Sequence, residues 1–175
     1  RYHRLSYTAA ELCAVLRAQA RLVPEATQKA PLYDEMLALA DQIATQAAGH
    51  NDILSASTAD VIRGQVAFDR ANDLRRQSSD ATQVTGALET AFKHLACACA
   101  TLAEFCHSPS PRFRRSFEQV IDCLLHPDLS PAEVDMGYAI ILRHFEREGK
   151  EHSAAAFLDN CRRIRQARGG NKRMR

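Results

Sequence analysis

Apolar residues recur every three or four positions along most of this 175-residue chain, the spacing that gathers them on one side of an α-helix. Seven such stretches can be marked. The first spans about residues 9–23, with Leu12, Val15, Leu16 and Leu22 as its apolar face and a Thr8/Glu11 capping box. The second spans about 31–48, with Pro31 at its first position, Leu32, Met36, Leu39, Ala40, Ile43 and Ala47 as its stripe, and Gly49 as its stop. The third begins near Thr58, capped by Ser57 and Asp60, and reaches Arg76. Its pattern is the weakest, and Gly64 lies inside it.

The fourth, about 81–106, is the most regular: Val84, Leu88, Ala91, Phe92, Leu95, Cys99, Leu102 and Cys106 predict a helix at the centre of the core. A fifth starts at Ser110-Pro111 and ends at His126-Pro127. A sixth starts at the Ser130-Pro131-Ala132-Glu133 capping box and is closed by Gly149, and a seventh spans about 151–167. A Leu-Ser phrase followed by an acid and an apolar residue occurs three times, from Leu5, Leu54 and Leu129, and each copy reads as a helix start. No period-two strand pattern is present.

Short connections predict antiparallel hairpins of helices one and two, three and four, and five and six, with the seventh as a cap. The expected fold is all-α, an irregular helical-repeat-like array or bundle. Residues 1–168 form one domain and 169–175 a basic tail. No apolar run approaches the roughly 20 residues that span a bilayer.

Charge changes this picture. The net charge is +2, but residues 160–175 carry seven of the 23 basic side chains and none of the 21 acidic ones. An acidic body therefore ends in Arg162, Arg163, Arg165, Arg168, Lys172, Arg173 and Arg175. Basic residues suit a helix C-terminus, which accounts for Arg165 and Arg168 but not for those beyond Gly170. Arg112, Arg114 and Arg115 fall in the first turn of the fifth helix, where the helix dipole disfavours cations by roughly 0.3–1 kcal/mol each. An external anion such as RNA phosphate would remove that conflict. The adjacent Phe113 and Phe117 fit core positions better than base-stacking ones.

Six cysteines sit mostly in apolar helical faces, which suits a reducing compartment. Cys97 and Cys99 lie about 200° apart around a helix and cannot share a metal ion with Cys106 and His107. His144, Glu148 and His152 are interrupted by Gly149 and have no third ligand nearby in sequence. No nucleophile elbow, phosphate-binding glycine loop or His-Glu-x-x-His run is present. These readings exclude a metal or cofactor and point to a non-catalytic protein. The first ten residues hold two arginines and no acid, as a processed organellar N-terminus or a trimmed one would.

The run Leu5-Ser6…Glu11-Leu12-Cys13-Ala14-Val15-Leu16-Arg17-Ala18-Gln19-Ala20-Arg21-Leu22 resembles the first helix of degenerate helical repeats in organellar RNA-associated proteins, the octotricopeptide and FAST-kinase-like repeat families. Leu54–Ala71 and Leu129–Phe145 match more loosely, and the intervals of 49 and 75 residues depart from a regular repeat. The resemblance implies a mitochondrial-matrix scaffold subunit of a ribonucleoprotein such as the mitochondrial ribosome, touching other protein subunits and RNA phosphate. The alternative is a helical protein–protein adaptor, cytoplasmic in the simplest case, with no nucleic-acid role.

Overall fold

The computed structural model describes residues 2–77, 80–102 and 111–171, with side-chain surroundings for 7–77, 80–102 and 115–166. Seven helices account for almost all of it: α1 (Tyr2–Leu22), α2 (Ala26–His50), α3 (Ile53–Arg76), α4 (Ala81–Leu102), α5 (Pro111–Leu124), α6 (Pro131–Arg147) and α7 (Glu151–Asn171). No strand occurs among the described residues. The fold is all-α.

Of the three Leu-Ser phrases, the third supplies its own helix cap and the second falls in the first turn of α3. Ser130 Oγ accepts from the Glu133 amide (3.3 Å), and the Glu133 carboxylate accepts from the Ser130 amide (2.8 Å). Pro131 follows at the first helical position. The first phrase lies inside α1, which already begins at Tyr2. The second is displaced by a better cap: Asp52 accepts from the Ser55 amide (3.1 Å) and hydroxyl (2.6 Å), so α3 starts at Ile53. Ser57, expected to cap, and Thr58, expected to open the helix, instead donate back to the carbonyls of Ile53 and Leu54 (2.9 and 2.8 Å).

The stops differ as well. Gly49 lies in the last turn of α2, and Asn51 ends that helix in the left-handed region (φ 50°). Gly149 ends α6 as expected (φ 65°), and the Lys150 amide reaches back to the Phe145 carbonyl (2.9 Å). The helix α7 continues through Gly169 and Gly170 to Asn171. Cys106, expected in the fourth helix, lies outside the described residues.

Neighbouring helices pack in sequence: α1 on α2, α2 on α3, α3 on α4. The order then breaks. The expected pair of helices five and six meets over a small area only; α6 packs mainly on α4, α7 on α6, and α5 lies against both α3 and α4. Gly137 lets α6 come close to both α5 and α4. A Cβ at Gly137 would stand 2.5 Å from the Leu124 side chain and 3.1 Å from the Phe92 ring. Gly64 does the same for α3 and α4, where a Cβ would meet Leu95 at 2.6 Å. The glycine that weakens the third helix in sequence is thus a point of close approach.

Two apolar cores result. One joins α1 and α2 to Ala59, Ile62 and Val66 of α3. The other joins Val61, Phe68 and Ala71 of α3 to α4, α5, α6 and α7. Phe157 is its aromatic hub, 6.0 Å from the ring of Phe117 and 5.8 Å from that of Phe145. Phe117 is buried there, as its core assignment requires.

The helix α1 buries only Leu16 of its expected apolar face. Cys13, Leu16 and Ala20 point inward, whereas Leu12, Val15 and Leu22 are exposed.

Candidate nucleic-acid interface

Charged side chains between α1, α2 and α3 are consumed by the fold. Arg17 holds Asp69 through two hydrogen bonds (2.6 and 2.9 Å), and Asp73 accepts from Lys29 (2.6 Å) and from the Tyr33 hydroxyl (2.8 Å). Burial works against the Arg17 charge, but the Asp69 carboxylate outweighs it and raises the guanidinium's pKa. Burial, aided by Asp73, raises the Tyr33 phenol well above its ordinary value. Every group here has a partner, so this network links helices rather than presenting reactive groups.

The arginines singled out in sequence are placed as follows. Arg115, on α5, pairs with Glu11 of α1 at 3.0 Å, both side chains being well exposed. The expected anion-seeking cation therefore already has a weak internal partner. On α7, Arg162 lies 3.7 Å from Asp159, Arg163 donates to Asn160 (2.6 Å), and Arg165 is exposed. The side chains of Arg112, Arg114, Arg168, Lys172, Arg173 and Arg175 lie outside the described residues.

The structure adds a basic groove that the sequence does not reveal. Lys93 and Cys97 of α4 face Arg143, His144 and Arg147 of α6 across an open groove of about 350 Å³, floored by Ala96 and Ile140. Three cations line it with little neutralisation. Lys93 has Glu89 at 3.8 Å, and Arg143 has no ion pair among the described residues. Arg147 donates to His144 Nδ1 (2.9 Å). Burial lowers the pKa of His144, with Arg147 and Lys150 adding to the effect against Glu148, so the imidazole is a neutral acceptor at neutral pH. Burial pushes the Cys97 thiol up, and it stays protonated. The groove can hold an anion but has no activated nucleophile.

Lys93 and Arg143 are 50 positions apart, and only the packing of α6 on α4 brings them together. The available signal was Arg143 and Arg147 at i and i+4 on one helix face, a like-charge pair that costs about 0.2–0.5 kcal/mol.

Cys97 is exposed while Cys99 is buried, on opposite sides of α4. Among the described residues no three His, Cys, Asp or Glu side chains cluster as metal ligands would, and none of the helices is long and apolar enough to cross a membrane. No family model, curated protein or solved structure matches the chain. The functional reading therefore rests on its own residues.

Proposed function

We propose that this protein is a non-catalytic α-helical scaffold subunit of an organellar ribonucleoprotein assembly such as the mitochondrial ribosome, meeting RNA phosphate on one side and neighbouring proteins on another. The observation that carries the RNA contact is the α4–α6 groove, where Lys93, Arg143 and Arg147 converge on two packed helices. Held there, the cations approach phosphate with less loss of freedom than on an unstructured segment. Arg162, Arg163 and Arg165 on α7, with the basic residues that follow, would extend the contact. For the protein contact, Leu12, Val15 and Leu22 form an exposed apolar stripe on α1, the kind of surface a protein neighbour covers. That stripe equally favours the adaptor reading.

Salt dependence separates the two. Each phosphate contact to a single strand contributes about −0.7 to the slope of log affinity against log salt. Replacing Lys93, Arg143 and Arg147 by Gln should flatten the slope by about 2 and weaken binding to a generic single-stranded RNA. A second variant, neutralised at Arg112, Arg114, Arg115, Lys172, Arg173 and Arg175, tests the remaining cations. If the unmodified chain binds no single-stranded RNA, or if its co-sedimentation with ribonucleoprotein particles is unchanged in both variants, the RNA reading fails and the adaptor stands.

A further inference from the structure

A cleft of about 260 Å³ opens where α1, α3 and α5 meet, on the seam between the two cores. One wall carries Val61 of one core beside Ile62 of the other. The cleft's surface is mostly apolar, with polar side chains set into it, among them Glu11, Gln65, Arg115 and Gln119. Gln65 of α3 is only 7% exposed, and its carboxamide makes no hydrogen bond among the described residues. No fully sealed side-chain polar atom in the described structure lacks a partner, so the Gln65 amide keeps its opening on the cleft side. A ligand group that bonds this amide would take the place of water there. From α5, Gln119 brings a second carboxamide to the wall.

A carboxamide presents a donor and an acceptor side by side. An apolar slot with such an edge suits a flat heterocycle, whose faces lie on the apolar walls and whose rim meets the amide. Glutamine pairs in this two-bond manner with adenine. The cleft is slightly smaller than the roughly 300–1,000 Å³ of pockets that enclose a whole drug-sized ligand, so it has room for a base but not for the sugar and phosphate. Those would lie at the mouth, beside the Arg115 guanidinium.

We propose that the α1–α3–α5 cleft is a nucleotide site, taking an adenine base against Gln65 with its phosphate at the Arg115 end. The Glu11–Arg115 pair at the mouth is then a gate that the incoming phosphate must compete with. The proposal does not depend on the RNA reading above. A free nucleoside monophosphate and an unstacked residue of an RNA strand present the same chemistry.

The test is calorimetric titration of the full chain with adenosine monophosphate, cytidine monophosphate, adenosine and a six-residue oligoadenylate. The adenine monophosphate should bind more tightly than its cytosine counterpart. Gln65→Leu should weaken it by at least about tenfold without lowering the melting temperature, since no internal hydrogen bond is lost. Ala14→Phe, at the exposed mouth, should block the cleft. Glu11→Gln should tighten the monophosphate but not adenosine. Binding of the monophosphate alone identifies a free-nucleotide site, and binding of the oligonucleotide alone an RNA site; either supports the proposal. It is overturned if none of the probes binds, or if Gln65→Leu and Ala14→Phe both bind as the unmodified chain does. Adenosine monophosphate binding by a chain that neither binds single-stranded RNA nor co-sediments with ribonucleoprotein particles leaves the cleft standing and the ribonucleoprotein reading fallen.

Discussion

Asp73 is 8% exposed and carries two short hydrogen bonds, from Lys29 and from Tyr33. Removing it strands a buried ammonium, so Asp73→Ala should cost about 3–5 kcal/mol in urea unfolding. Asp34 makes a similar-looking pair with Arg70 at 2.8 Å, but both side chains are substantially exposed. Asp34→Ala should cost no more than about 1 kcal/mol. The difference could not be read in sequence, where Lys29 is one polar residue near a helix start and Asp73 stands 44 positions away. Gln65 was equally hidden, because its burial depends on three helices meeting. Three histidines make stability depend on pH. Burial holds His94, His126 and His144 below their ordinary 6.5. As pH falls, the unfolded chain takes up these protons first, so the stability that neutral histidines preserve is lost on the acid side. The melting temperature should drop between about pH 7 and 5.5, and replacing all three by Gln should flatten that limb.

Glycines show how position within a helix decides the sign of one substitution. Replacing an exposed helical glycine by alanine gains up to about 1 kcal/mol of helix propensity. Gly86, on α4, has nothing within 4 Å of a built Cβ, and Gly86→Ala should stabilise by that amount. Gly64→Ala drives a methyl into Leu95 at 2.6 Å, and should destabilise by about 1–3 kcal/mol in the same assay. Helix α4 was readable as a core helix because its stripe is continuous. Helix α3 was not, because it feeds both cores and so has no single apolar side: Ile62 and Val66 face one, Val61 and Phe68 the other. Local chemistry located the start of α6 from Ser130 and Glu133. It misplaced α3, since Asp52 offered a stronger cap than Ser57.

At the scale of the molecule, helix class and number were legible in periodicity, while the pairing of α6 with α4 was not. A short connection after α5 suggests a hairpin, but the geometry is decided by which surfaces interlock, and Gly137 brings α6 against Phe92 of α4 as well as Leu124 of α5. The same pairing creates the basic groove, so the RNA-contact hypothesis depends on an arrangement that no segment of the chain encodes alone.

The distribution of cysteines across this arrangement has a practical consequence. Cys13 belongs to the α1–α2 core, whereas Cys99, Cys123 and Cys161 belong to the other. Burial pushes Cys13, Cys123 and Cys161 up to about 11, and Cys99 is raised well above its ordinary value by the same cause. Cys99, Cys123 and Cys161 therefore react only when their core opens, while Cys13 also borders the α1–α3–α5 cleft. With Cys97 and Cys106 replaced by Ser, the labelling rates of those three with a disulfide-exchange reagent time the opening of their core, and Cys99, on the central α4, should be the last to react. The chain carries its own clock for local unfolding.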